Sequence, residues 1–178
     1  MNPLLPMEWV QAIGWAAAGI SLLSYQFHRR PVVILLQVAS CLLLVVHFIL
    51  LQAPAGAVFN FLALLRGGVA LTERPWRRFA VLAFIPILWG TAFATAQDWK
   101  DLIPAVAMTC STLAQASPKV LHLRLFMLAS SPPWFLFSAL SGSQGGMAYE
   151  ILNSLSNLLG LYRYHLKPRL AEQAAPSD

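Results

Sequence analysis

Glu150, Asn153 and Asn157 follow one another at i, i+3 and i+7, so on a helix they share one face, with Ser154 at its edge. They sit in an apolar stretch, where a charge costs about 2.5–3.5 kcal/mol on insertion scales and marks a functional site by default. A carboxylate beside two amides offers acceptors and donors together, which is the chemistry needed to pass a polar solute. The alternative is that Glu150 ends its helix at an interface and the asparagines tie helices together, at roughly 0.6 kcal/mol per bond. Asn60 and Arg66 form a second set, and Arg66 either pairs with Glu150 or snorkels to the membrane surface. Counted from the preceding turn, Asn60 is level with Glu150; counted from the following arginine, it is level with Asn157. Six residues of helix rise about 9 Å, which separates Arg66 from Glu150 in the first register. An unperturbed imidazole titrates at about 6.5, which makes His47 a candidate proton relay with Glu150, or else a buried ring satisfied by a carbonyl. Trp134 packs against a planar solute or belongs to an interfacial belt. Gln26, Gln37 and Gln115 pose the same question more weakly.

Other chemistries find little footing, and the expectation is that the chain is not an enzyme. His28, His47, His122 and His165 lie in different segments, without the spacing of a metal site. No serine sits in a Gly-x-Ser-x-Gly turn. Gly67-Gly68 and Gly145-Gly146 follow no strand, so they are packing or turn glycines rather than a phosphate cradle. Cys41 and Cys110 lie within apolar runs and read as inert thiols. No metal or cofactor is expected. A formal charge of +5 raises nucleic acid as a partner, but the basic residues occupy short gaps and form no stripe.

The elements that would position these groups are membrane spans. Of 178 residues, 58% are hydrophobic and 11% charged, which is too few charges to cover a soluble core. A span needs about 20 apolar residues, with about 17 as a floor. The charges mark such segments at 9–28, at 31–65 (length for two, broken at Gln52-Ala53-Pro54-Ala55-Gly56), at 79–97, after Asp101 to about Gln115, at 125–140 and at 147–162. That makes an all-α integral membrane protein of seven transmembrane helices. The opening MNPLLPME has no basic n-region, so no cleaved leader is expected.

Orientation follows from the loops, because Lys and Arg are retained on the cytoplasmic side. Arg29, Arg30, Arg74, Arg77, Arg78, Lys119, Arg124, Arg163, Lys167 and Arg169 fall on one side, which accounts for ten of the twelve basic residues. The amino terminus is therefore expected outside and the carboxy terminus in the cytoplasm. The same charge alternation recurs in both halves. Leu23-Ser24-Tyr25-Gln26 echoes Leu113-Ala114-Gln115, His47-Phe48-Ile49-Leu50 echoes Trp134-Phe135-Leu136-Phe137, and an Asn and an Arg stand six apart at Asn60/Arg66 and Asn157/Arg163. Two co-oriented three-helix units need one extra segment to restore direction, which 79–97 supplies. The expected organisation is 1–72 as the first unit, 73–101 as a linker with its reversing helix, 102–165 as the second unit and 166–178 as a polar tail. Parallel repeats of this kind are one way to build a carrier, with its site at the repeat interface.

This 3+1+3 layout resembles the SWEET/MtN3 PQ-loop superfamily, and more specifically the YgjV-type bacterial inner-membrane family. The second resemblance rests on Val46-His47-Phe48 with Leu50-Leu51, Pro54-Ala55-Gly56-Ala57, Asn60 with Arg66, and Gly142-Ser143-Gln144-Gly145-Gly146 leading to Glu150, Asn157 and Arg163. It implies a SWEET-like parallel repeat in the inner membrane and transport of a small solute by alternating access. It carries no substrate. The prolines that hinge the first helices of sugar-transporting relatives are replaced here by Ser24-Tyr25 and Leu113-Ala114, so a proline-hinged mechanism does not carry over. The expected pathway is Asn60, Glu150, Asn153, Asn157, Trp134 and His47, with Arg66 as charge partner. Expected partners are the bilayer, a small polar solute, a coupled proton and further copies of the chain. The rival class is a non-transporting scaffold or sensor subunit.

Overall fold

A computed structural model describes residues 6–24, 26–27 and 29–167. Tyr25, His28, Arg169 and the rest of the tail from 168, all used in the sequence reading, lie outside the described residues.

The described chain is helical throughout, and each start has a local cause. Helix α1 is Met7–Ser24, α2 is Arg30–Leu50 and α3 is Pro54–Ala70. Prolines occupy the first turn of α2 and α3, where a missing N–H leaves no bond unmade. Helices α4 (Arg77–Leu82) and α5 (Phe84–Thr95) continue each other as one 19-residue rod, Arg77–Thr95. The irregularity between them falls where Pro86 deprives the Leu82 carbonyl of its helical donor. A 3₁₀ turn, Trp99–Leu102, capped reciprocally by Asp98 and Asp101, leads into α6 (Ile103–Ala116). Helix α7 is Val120–Leu140 and α8 is Gln144–Leu161, which ends in a π turn at Tyr162–Leu166. Ser143 caps α8 by accepting from the Gly146 N–H at 2.9 Å.

Two boundaries differ from the sequence expectation. Helix α1 stops at Ser24 rather than running to residue 28. Helix α7 extends the expected 125–140 core back to Val120, and Arg124, expected in the connecting loop, is 2% exposed and held inside the helix packing.

Six helices close on themselves, each packed on two neighbours: α1 on α2, α2 on α3, α3 on α6, α6 on α7, α7 on α8 and α8 on α1. The rod Arg77–Thr95 lies outside this ring, against α3 and α6. Close approaches fix the helix registers. A side chain at Gly67 would meet Val38, and one at Gly56 would meet Phe48 and Phe137. Gly145 lies backbone to backbone against Gly14, so neither position has room for a Cβ.

The surface is largely apolar, and many polar side chains are buried among apolar ones. Phe79, Phe93 and Trp9 are 74%, 70% and 65% exposed, while Ser40, His47, Thr112 and Asn157 are buried. Water would reverse that distribution, so the surface is suited to lipid. By length and composition Arg30–Leu50, Arg77–Thr95 and Val120–Leu140 are able to cross a membrane, and Pro54–Ala70 is a shorter apolar helix.

Candidate functional site

Inside the ring lies a cavity of about 70 Å³. Helical periodicity delivers its walls. Helix α2 contributes Gln37, Cys41, Leu44 and Phe48, and α7 contributes Met127, Ser131, Trp134 and Ser138, both at steps of four, three and four. Helix α3 brings Asn60, Ala63 and Arg66, and α8 brings Gly146, Tyr149, Glu150 and Asn153. Met108, Ser111 and Gln115 of α6 complete the wall, joined by Ser130 of α7.

Several of these wall residues recur at one sequence spacing. Arg30 and Val120, which open α2 and α7, are ninety positions apart, and so are the first residues of α3 and α8, Pro54 and Gln144. The turns between them match as well: Gln52 and Gly142 both take positive φ, at 57° and 69°. At that spacing the walls pair as Gln37 with Met127, Cys41 with Ser131, Leu44 with Trp134, Phe48 with Ser138 and Asn60 with Glu150. Of the two registers open in the sequence, helix starts therefore align Asn60 with Glu150 rather than Asn157. The echo of His47 with Trp134 is displaced by three positions.

Each expected site residue now has a place. Asn60 donates Nδ2 to the Gly56 carbonyl at 2.9 Å, which turns its Oδ1 away from its own helix backbone. Asn153 accepts from the Ser21 hydroxyl of α1 at 2.7 Å. Glu150, 8% exposed, lies against Ser131. Arg66 is 2% exposed and does not snorkel. Its Nη1 donates to the Met108 carbonyl and Ser111 Oγ, each at 3.0 Å, and to Thr112 Oγ1. Its Nε is buried without a partner, as is Gln115 Oε1 in the same wall. Among the described residues the recorded ion pair is Lys100 with Asp98, at 3.4 Å, so Arg66 and Glu150 share a cavity without touching. Trp134 lines the cavity and packs edge-on to Phe137, with ring centres 5.9 Å apart.

His47 and Asn157 lie elsewhere. The His47 ring bridges the Val10 carbonyl at 2.8 Å and Ser143 Oγ at 2.7 Å, tying α1 and α2 to the cap of α8. Asn157 grips Arg124: Nδ2 donates to the Arg124 carbonyl at 2.8 Å, and Oδ1 accepts from Nη1 at 3.3 Å. The sequence reading missed Arg124 as a buried group, Ser111 and Ser131 as wall residues, and Thr112 as a partner of Arg66. Only the arginine carried a visible signal, a charge four residues into an otherwise apolar run.

The ends of the ring are closed differently. At the basic end Arg30 donates to the Ala70 carbonyl at 3.1 Å and the Gln115 carbonyl at 2.7 Å, bridging α3 and α6. At the other end Gln11 accepts from the Gly145 N–H at 3.1 Å and donates to the Gly142 carbonyl at 3.3 Å, beside the glycine contact of α1 and α8.

Searches of curated proteins and of solved structures returned no significant match. A family model described as a bacterial inner membrane protein, Imp-YgjV, matches residues 8–167. With nearly the whole chain covered, and with lipid-facing apolar walls around a polar interior, this protein belongs to the Imp-YgjV family of bacterial inner membrane proteins.

Proposed function

We propose that the chain carries a small polar solute through the central cavity by alternating access. The observation that carries this reading is the paired wall: two helical hairpins of matching length and turn geometry place equivalent positions on opposite sides of one polar cavity. Helices α1–α3 and α6–α8 act as two co-oriented units, and Arg77–Thr95 is the segment that restores direction. That is a SWEET-like layout.

Seven spans, amino terminus outside, is the topology this mechanism needs, and the lengths support it. Helix α6 alone rises about 21 Å, but the preceding 3₁₀ turn adds about 8 Å, near the roughly 30 Å of hydrocarbon. Helices α1 and α8 flank α2 and α7 in the ring, and so share their depth. Their lower apolar content reflects inner faces that meet the cavity or each other.

The test is uptake by purified protein in liposomes. A Glu150→Gln variant that inserts normally is expected to lose most uptake, at least tenfold, because the carboxylate sits in the wall the solute must pass. The rival reading, a scaffold or sensor subunit, draws on the bonds of Asn153 to Ser21 and Asn157 to Arg124, which do tie helices together. Full function of a Glu150→Leu, Asn153→Leu double variant would favour it.

A further inference from the structure

We infer that the solute is a small zwitterion, with its carboxylate taken at Arg66 and its ammonium at Glu150. This rests on the carrier reading above and adds the chemistry of the cargo. Arg66 and Glu150 are the only Arg, Lys, Asp or Glu side chains in the cavity wall among the described residues, one of each sign, and they are not paired with each other. Asn60, in the same wall, keeps its Oδ1 as an acceptor after Nδ2 is used on Gly56. Toward Arg66 are an unused donor, the guanidinium Nε, and the Gln115 side chain, whose Oε1 has no partner. Turning that amide over would aim its NH₂ at the same anion, since oxygen and nitrogen of an amide are interchangeable by a simple flip.

Size limits the cargo further. The cavity holds about 70 Å³, well below the roughly 300 Å³ at which drug-sized pockets begin. That volume suits an ammonium and a carboxylate joined by one or two carbons. Leu44, Ala63 and Trp134 supply apolar wall for the carbons. A neutral polyol would leave both charges uncompensated, and an ion of one sign would satisfy only one of them.

The experiment uses the full chain in proteoliposomes and nanodiscs, with labelled glycine, β-alanine, acetate, methylammonium and glycerol. Wild-type protein is expected to bind and take up glycine or β-alanine at least tenfold better than the other three. Glu150→Gln should shift the ratio of acetate to glycine binding upward about tenfold, and Arg66→Gln should do the same for methylammonium. If Arg66→Gln does not fold, Arg66→Lys should retain the zwitterion preference with weaker binding. Uptake of glycerol, or of acetate or methylammonium, equal to that of glycine in the wild type would overturn the zwitterion assignment and leave the carrier reading standing. Binding and uptake of none of the five, by protein that is folded and inserted, would overturn both.

Discussion

Two arginines are buried among the described residues, and their surroundings assign them different work. Arg66 lies in the cavity wall and leaves its buried Nε without a partner. Arg124 is clasped by Asn157 at both its backbone and its guanidinium, with the Tyr164 ring 5.7 Å from its carbon. Gly160 gives the guanidinium its room, since a Cβ there would overlap it. Replacing Asn157 with Leu should therefore cost stability, about 1.5–3 kcal/mol for a hydrogen bond to a charged group, while leaving uptake intact at a permissive temperature. Thermal melts of the detergent-solubilised variant, paired with liposome flux, check this; a stable but inactive Asn157→Leu protein would return the residue to the pathway. Sequence spacing had put Asn157 on the Glu150 face, and that face is correct to within a turn. Depth was the missing variable. Seven residues, about 10 Å of rise, carry Asn157 past the cavity to the level of Arg124.

At the level of elements, the hairpins α2–α3 and α7–α8 share lengths and a left-handed residue at the second turn position, yet one uses Gln52 and the other Gly142. An L side chain in that region costs roughly 1–2 kcal/mol relative to glycine. Gln52→Gly should thus stabilise the first hairpin or be neutral, and Gly142→Ala should destabilise the second by about 1 kcal/mol, read as opposite shifts in melting temperature. The halves also differ inside a helix. Pro132 and Pro133 lie within α7 beside Ser131 and Trp134, where α2 has Leu42 and Leu43. They leave the Leu128 and Ala129 carbonyls without helical donors, a built-in point of bending beside the cavity. A Pro132→Ala, Pro133→Ala variant should keep solute affinity but slow uptake several-fold; unchanged uptake would remove α7 from the moving parts. Segment existence was legible in the sequence because charges are too costly to leave inside lipid. Register was not, because apolar runs match one another at many offsets. The sequence left Asn60 open between Glu150 and Asn157, at ninety and ninety-seven positions, whereas the helix starts and turns recur at ninety. Arg124 hid the true start of α7 because a charge at a segment edge reads as an interface.

For the molecule as a whole, the ring has two seams where the halves meet: α8 on α1 and α3 on α6. The first holds the Gly14–Gly145 backbone contact, the His47 bridge from Val10 to Ser143, and the bond from Ser21 to Asn153. The second holds Arg30 at its end and Arg66 on Ser111 and Thr112. Rigid units that expose a central cavity to alternate sides must loosen these contacts in turn, because these are the contacts that join one unit to the other. Locking one seam should then stop transport without emptying the site. Cysteines at Gln26 and Ser156, in a background with Cys41 and Cys110 changed to serine, place two thiols where the segment after α1 now touches α8. Joined by oxidation or by a short bifunctional reagent, they should abolish uptake while solute still binds, and reduction should restore it. Sustained uptake with the cross-link complete would mean that the α1–α8 seam stays shut throughout the cycle. Motion would then be confined to α3 and α6, where a single arginine reaches across the end of the ring.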